Sequence, residues 1–266
     1  MTSARSDASL RHVLLAFDTG PPVPQSLAMA RTLVETLGAE LAGLFVEDIN
    51  LLRLAALPFT REVGVTSGVS RPIELADVER TLRAQAEVAK RRLSELAAEL
   101  SVPWSFRIER GNILQQVLAQ MTESVAAVVL PSRPSRKLQP VSRAGPLRAR
   151  ARRLLVLWDR SAGQTQTVAV ALRLAQAQGA AMTLAMVGDE RSTSDAPPEA
   201  LANLLAPAPP SLRVLSLPRA EADVLARQLR ATGCDLLILN RRVLHEDPGQ
   251  MRALIEGVGS PVVLLG

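Results

Sequence analysis

An internal repeat constrains the fold of this chain more than any other feature. RHVLLAFDTG begins at Arg11 and RRLLVLWDRS begins at Arg152, and each is a leucine-rich run that reaches an aspartate. GAELAGLFVED begins at Gly38 and is matched in the same way by GAAMTLAMVGD, which begins at Gly179. Both pairs are 141 residues apart (152 − 11 and 179 − 38). A shared offset of this kind indicates two copies of one structural unit.

Each copy has the pattern of strands that alternate with helices. In the second copy an apolar strand is followed by a predicted helix whose apolar positions lie three and four residues apart, and Gly179 ends that helix. Two later segments, IERGNILQQVLAQM from Ile108 and LPRAEADVLARQL from Leu217, are predicted to be helices that lead into the strands AAVVL and DLLIL. Buried strands that alternate with amphipathic helices predict right-handed crossovers and a parallel sheet covered on both faces. The predicted fold class is therefore α/β, with two tandem Rossmann-like units.

The two copies differ in length. Leu130 corresponds to Leu239, an offset of only 109, so the first copy carries 32 more residues (141 − 109). The excess lies in an insertion at residues 49–80. We expect a disordered N-terminus at 1–10, a first unit at 11–131 that contains the insertion, a basic linker at 132–151, and a second, smaller unit at 152–266.

The first copy is short of one strand. In the second copy the last strand, PVVLL, starts 22 residues after Leu239, whereas the same count from Leu130 reaches Arg152, which already opens the next unit. We therefore expect the first copy to lack a regular fifth strand, or to fill its place with irregular chain from residues 138–147. An exposed strand edge can pair with another chain, so we also expect a homo-oligomer that forms through this edge.

The order of these motifs resembles that of the universal stress protein family. The similarity rests on the strand that ends in aspartate, the helix, GAxL leading into a strand, and the terminal GSPVVLLG from Gly259. The resemblance covers nearly the whole chain and implies five-stranded parallel sheets in the order 3-2-1-4-5, with the two copies forming a pseudo-dimer. In ATP-binding members a glycine loop after the fourth strand holds the phosphates, and the aspartate after the first strand faces the nucleoside. Asp18 and Asp159 match that aspartate.

The glycine loop itself has no match in this chain. Its first two glycines fall on Pro131 and Pro134 in the first copy, and the second copy reads NRRVLHEDPG from Asn240. Glycine allows the positive φ angles and close approach that converging N–H groups need, whereas proline has no N–H and a fixed φ. We therefore expect neither cleft to bind ATP and no cofactor to be held. The alternative is an ATP- or AMP-responsive switch or slow ATPase in which Asp18 or Asp159 contacts the nucleoside.

A basic strip without acidic residues follows the fourth strand of the first copy, at residues 131–153. It could bind an anion or nucleic acid, which is a second alternative function. Aromatic residues make up only 2% of the chain, and there is no tyrosine. Because few side chains can stack on bases, we do not expect nucleic acid as a partner and read the strip as a solvated linker. The candidate residues of the strip are Arg133, Arg136, Lys137, Arg143, Arg148 and Arg150.

The insertion begins with an unusually apolar segment, INLLRLAALPF, at residues 49–59. Leu51, Leu54 and Ala55 fit one helical face, and a proline ends the predicted helix. This face either folds back as a lid over its own sheet or forms a docking surface for a protein partner, because so much apolar area is seldom exposed without use. The candidate partner-binding residues are Leu51, Leu52, Leu54, Leu57 and Phe59.

Residues that support catalysis or metal binding are scarce. The two histidines and the single Cys234 form no spacing typical of a metal site or of a nucleophile with its base. No apolar stretch approaches the roughly 18–20 residues that a membrane span needs, and the first ten residues have no apolar signal core. We expect a cytoplasmic, non-enzymatic regulatory protein of the stress response, without membrane insertion, that acts by contact with an unidentified protein partner.

Overall fold

The computed structural model describes residues 11–20, 24–63, 68–122, 124–131, 153–159, 164–188, 201, 211–218, 220–244 and 248–266. The strands are β1 His12–Phe17, β2 Glu40–Asp48, β3 Arg61–Val63, β4 Ser70–Pro72, β5 Trp104–Gly111, β6 Val125–Leu130, β7 Arg153–Trp158, β8 Ala181–Gly188, β9 Leu212–Pro218, β10 Leu236–Asn240 and β11 Val262–Leu265. The helices are α1 Pro24–Leu37, α2 Ile49–Ala55, α3 Leu75–Leu100, α4 Ile113–Gln120, α5 Gln164–Gln178, α6 Ala222–Thr232 and α7 Pro248–Val258, with a 3-10 helix at Arg241–Leu244.

Within the described ranges, nine strands form one sheet in the order β5-β2-β1-β6-β11-β10-β7-β8-β9. The first four belong to the first copy and have the order 3-2-1-4, and the other five belong to the second copy and have the complete order 5-4-1-2-3. Within each set all neighbours are parallel. The predicted α/β class and strand order are confirmed, whereas the domain limits stay a prediction because residues 132–152 lie outside the described ranges.

The two sets of strands meet where β11 pairs antiparallel with β6. Leu264 lies opposite Val128, and the N–H of Gly266 continues the contact by donating to the carbonyl of Ala126 at 3.0 Å. The place beside β6 that a fifth strand of the first copy would fill is therefore taken by the last strand of the second copy. The expected pairing of this edge with another chain is wrong, because β11 already pairs with it, whereas the homo-oligomer itself stays a prediction. The irregular chain expected at residues 138–147 lies outside the described ranges.

Helices cover both faces of the sheet, which explains why its central strands are apolar on both sides. On one face α1, α3 and α5 pack over residues such as Val13, Leu15 and Val156. On the other face α4, α6 and α7 pack over residues such as Leu14 and Leu155. Successive residues of a strand thus enter two separate cores. No helix of the described ranges combines the length and apolar content needed to cross a bilayer.

Two of the predicted helices begin later than their sequences suggest. Residues 108–111 belong to β5, and α4 starts only after Asn112, whose side chain accepts a hydrogen bond from the N–H of Leu114 at 3.0 Å. Leu217 likewise belongs to β9, and the second helix, α6, starts at Ala222. Pairing with β2 and with β8 extends these strands into segments that carry charged residues.

Close packing of α6 against α7 gives the first testable prediction. A Cβ atom added at Gly257 would lie 2.5 Å from the Cβ of Ala226. Alanine favours an α-helix over glycine by about 1 kcal/mol, but overpacking costs about 1–3 kcal/mol, and an alanine Cβ cannot rotate away. We expect Gly257→Ala to lower the free energy of unfolding in urea by about 1 kcal/mol net. Adding Ala226→Gly should restore part of the loss, and a higher urea midpoint for Gly257→Ala alone would contradict the packing.

Candidate functional site

The sheet offers two ligand clefts, one in each copy. In each set the strand order reverses between the first and fourth strands, and ligands of open α/β sheets bind at the carboxyl ends of strands at that point. The first cleft lies between Asp18, which follows β1, and Pro131, which follows β6. The second lies between Asp159, which follows β7, and Asn240, which ends β10. Because the two sets of strands run in opposite directions, their carboxyl ends, and therefore the two clefts, lie at opposite ends of the strands.

In the first cleft the carboxylate of Asp18 bends back onto its own chain. Its Oδ1 accepts a hydrogen bond from the N–H of Gly20 at 3.0 Å, which makes a local turn. Pro131 is half-buried and supplies no N–H where a phosphate cradle would need one. A small cavity of about 30 Å³ beside Pro131 is lined by Asn112, Leu114 and Ile255 and does not include Asp18. Pro134 and the six candidate basic residues of the strip lie outside the described ranges.

In the second cleft, polar side chains bond to one another. Asp159 accepts a hydrogen bond from Nε2 of Gln164 at 2.6 Å, and Gln164 is itself buried. The buried Asn240 donates from Nδ2 to the hydroxyl of Thr167 at 2.8 Å and accepts at Oδ1 from the N–H of Arg242, also at 2.8 Å. The amide of Arg242 is therefore engaged by a side chain of the protein.

The loop after β10 is wound into a 3-10 helix at Arg241–Leu244. Helical winding directs successive N–H groups along one axis, whereas a phosphate cradle requires them to converge on one point. The guanidinium of Arg241 leaves this loop and donates to the carbonyl of Thr122 in the first copy at 3.2 Å. The loop therefore joins the two copies.

Apart from Asp159, the side chains that line the second cleft were not predicted from the sequence. Gln164 and Thr167 are three residues apart at the start of α5 and share one helical face, and Asn240 ends the apolar strand LLILN. Two signals were available. An asparagine directly before a helical turn is a preferred N-cap, and a polar residue at the end of a buried strand needs a partner.

Only part of the apolar start of the insertion is exposed. Leu52 and Ala55 are buried and Leu51 is half-buried, whereas Leu54 and Leu57 are about half exposed. The buried face of α2 therefore contains Leu52 and Ala55, and the predicted face of Leu51, Leu54 and Ala55 differs from it. The carboxylate of Asp48 caps α2 by accepting from the N–H of Asn50 at 2.9 Å, and this start sets which residues face inward.

Phe59 is the most exposed large apolar side chain of the described residues, at 97%. Its φ angle is +85°, in a region that a bulky residue rarely adopts. Two hydrogen bonds from Thr60 hold the turn around Phe59. The hydroxyl of Thr60 donates to the carbonyl of Leu54 at 2.9 Å, and the N–H of Thr60 donates to the carbonyl of Leu57 at 3.3 Å. We call Leu54, Leu57 and Phe59 the insertion surface.

An ion pair between a buried carboxylate and an exposed guanidinium joins the strand ends beside the insertion. Glu47 is 8% exposed, and its Oε2 accepts a hydrogen bond from Nε of Arg110 at 2.7 Å. Nη2 of Arg110 also lies 3.5 Å from Oε1 of Glu79 on α3. The hydrogen bond with Glu47 and the attraction of the same carboxylate raise the pKa of Arg110. Glu47, a carboxylate at the end of a strand, is therefore engaged in holding β2, β5 and α3 together.

The only cysteine of the chain, Cys234, is partly buried. Sγ of Cys234 lies 3.7 Å from the hydroxyl of Ser260, which in turn donates to the carbonyl of Cys234 at 2.9 Å. Burial raises the pKa of the Cys234 thiol. Since the thiolate is the reactive form, we expect iodoacetamide at pH 8 to label the native protein much more slowly than the protein in 8 M urea. Equal labelling rates would contradict this, and mass spectrometry measures both.

Metal-binding arrangements are missing from the described ranges. No three side chains of His, Cys, Asp or Glu come together there in a group that could hold a metal ion. Nδ1 of His12 lies 3.4 Å from Oε2 of Glu40 at the start of two neighbouring strands. The second histidine, His245, lies outside the described residues.

Comparison with known proteins gives a structural match only. No family model matches the chain, and no curated protein matches it. Among solved structures, a universal stress protein from Archaeoglobus fulgidus is 11% identical, with 96% of this chain and 95% of that chain covered and a TM-score of 0.53. A Pseudomonas aeruginosa protein described as a universal stress protein is 12% identical, with 96% and 93% covered and a TM-score of 0.46. A universal stress protein in complex with cAMP is 18% identical, with 44% and 98% covered and a TM-score of 0.36.

The Archaeoglobus match extends over nearly the full length of both chains, so it includes both sets of strands and not one alone. The strand order agrees with this match, and so does the resemblance that the sequence motifs indicate. The chain has the fold of the universal stress proteins.

Proposed function

We propose that this chain is a regulatory protein of the stress response that acts by binding another protein and does not use ATP. The observation that carries the proposal is the insertion surface, and above all Phe59, whose ring is 97% exposed on a backbone with positive φ. An aromatic residue in that conformation costs about 1–3 kcal/mol of strain, and such residues cluster at functional sites. Aromatic side chains are also the commonest energetic anchors of protein interfaces.

The neighbouring side chains support a protein as the ligand. Leu54 is 50% exposed and Leu57 is 56% exposed, and both lie shortly before the turn that carries Phe59. Three large apolar side chains within six residues form a small projecting anchor, which fits an apolar groove on a partner. The buried Leu52 and Ala55 fix α2 to the body of the protein, so the anchor is held in place before binding.

The loops at the two clefts support the absence of ATP use. Pro131 offers no N–H at the first cleft, and the N–H of Arg242 already bonds to Asn240 at the second. Asp18 and Asp159 keep the positions that favour the alternative, a nucleotide-responsive switch or slow ATPase. Anion or nucleic-acid binding by the basic strip remains the second alternative.

The insertion surface can be tested with a variant that should fold at least as well as the wild type. Phe59→Gly removes the ring and relieves the positive φ, so the melting temperature should stay equal or rise. Affinity capture from a cell lysate, quantified by mass spectrometry, should show at least ~30-fold less specific partner, which corresponds to a hot-spot loss of about 2 kcal/mol.

Val88→Ala is the matched control, since Val88 is 44% exposed on α3 and does not belong to the insertion surface. It should capture the same partner as the wild type. A partner retained equally by Phe59→Gly, the wild type and the control would refute binding through the insertion surface.

A further inference from the structure

Among the strands that the structure describes, β5 forms one end of the nine-stranded sheet and has β2 as its single neighbour. Along a parallel strand, alternate residues direct their N–H and C=O groups toward the neighbour and away from it. The N–H of Leu41 donates to the carbonyl of Pro103 at 3.1 Å, and Leu41 lies opposite Trp104. Pro103 therefore faces β2, and the backbone groups of Trp104, Phe106, Ile108 and Arg110 point outward.

The chain itself ends this outward row at Arg110. The carbonyl of Arg110 accepts a hydrogen bond from Nε2 of Gln116 at 3.2 Å, so it is already engaged. Trp104, Phe106 and Ile108 remain as a row of three outward residues with Phe106 at its centre. An edge of this kind is a template for another strand unless charge, proline or a covering element blocks it.

The side chains of the same three residues are apolar. Phe106 packs against the core that contains α3, and Trp104 and Ile108 lie on the same side of the strand. Trp104 is 39% exposed and Ile108 is 49% exposed. The edge therefore offers backbone hydrogen-bonding groups and uncovered apolar surface at the same place.

We propose that β5 pairs antiparallel with β5 of a second copy of this chain, around a two-fold axis at Phe106. In this register Trp104 lies opposite Ile108 of the second copy. The two-fold axis likewise places Ile108 opposite Trp104 of the second copy. The three outward residues of each strand then form about six inter-chain hydrogen bonds, two for each paired position. The pairing also extends the apolar core across the interface.

The charges of β5 are compatible with a second copy in this register. Arg107 would lie opposite Ser105 of the second copy, and Glu109 opposite Pro103, so no like charges face one another directly. A two-fold axis makes the same patch complementary to itself and closes the assembly at two chains. The interface uses the edge of β5, so it is distinct from the β6–β11 contact within one chain.

Sedimentation velocity on the full chain tests this proposal. The wild type should sediment as a dimer of twice the 28.5 kDa chain mass, and Ile108→Lys should sediment as a monomer. Val214→Lys is the matched control, because Val214 is 44% exposed on β9 at the opposite end of the sheet, and it should leave the dimer intact. A wild type that is monomeric at every concentration, or a dimer that Ile108→Lys leaves intact, would overturn the proposal.

Amide hydrogen exchange on the wild type provides a second test that needs no substitution. On dilution from the dimer to the monomer, the amides of Trp104, Phe106 and Ile108 should exchange faster, while those of Ser105 and Arg107, which face β2, should keep their protection. Protection of the outward amides that does not depend on concentration would also overturn the pairing.

Discussion

Leu264→Ala is expected to lower the free energy of unfolding by about 2–5 kcal/mol, because it removes a fully buried side chain and leaves a cavity. Leu264 lies at the centre of β11, opposite Val128 of β6 on one side and Leu239 of β10 on the other. β11 is the strand through which the two copies share a sheet. Leu264→Ala should therefore destabilise both copies.

The two tryptophans of the chain allow this to be measured copy by copy. Trp104 lies on β5 in the first copy, and Trp158 ends β7 in the second. In single-tryptophan backgrounds made with Trp158→Phe or Trp104→Phe, Leu264→Ala should shift both urea transitions to lower midpoints together. Leu54→Ala, the same substitution at a half-exposed site, should change stability by no more than about 0.5 kcal/mol. A shift confined to one tryptophan would show that the copies unfold independently.

Asn240→Leu should have the second largest effect. The buried side chain bonds to the hydroxyl of Thr167 and to the N–H of Arg242, and leucine can bond to neither. A buried polar group that loses its partner costs about 1–3 kcal/mol, and the part-buried N–H of Arg242 costs less than the buried hydroxyl of Thr167, so the expected loss is about 2–4 kcal/mol in total.

Adding Thr167→Val to the Asn240→Leu variant separates the cost of the lost hydrogen bond to Thr167 from the cost of the lost hydrogen bond to Arg242. Replacing both members of a buried hydrogen bond with apolar groups of similar shape is close to neutral. The double variant should therefore recover about 1–2 kcal/mol of the loss, measured by urea unfolding followed at Trp158. An Asn240→Leu variant as stable as the wild type would contradict the hydrogen-bonded network in the second cleft.

The central strands could be predicted because they are buried on both faces. β1 and β7 read as continuous apolar runs, and their shared offset indicates the repeat and the fold class, whereas the resemblance to the universal stress proteins implies the strand order. β5 was missed because it is an edge strand. Only Trp104, Phe106 and Ile108 alternate there, and the polar Ser105 and Arg107 between them are exposed, so the sequence from Ile108 predicts the following helix instead of a strand.

The absence of a fifth strand beside β6 in the first copy could be predicted by counting residues, but the pairing that replaces it could not. β11 and β6 are separated by more than a hundred residues, and their antiparallel contact joins two copies of opposite direction. No local pattern carries such information. The insertion surface was only partly predictable for a related reason, since the cap at Asp48 decides which of the leucines on α2 turn inward.

Titration of ATP with magnesium into the full chain, followed by calorimetry and thermal melting, tests most directly whether the two clefts still hold a nucleotide. We expect no saturable heat and no change in the melting curve, because proline at one loop and the Asn240 cap at the other remove the converging amides. A ligand at 100 times its Kd would stabilise the protein by about 2.7 kcal/mol. Such a stabilisation, weakened by Asp18→Asn or Asp159→Asn, would contradict the loss of nucleotide binding.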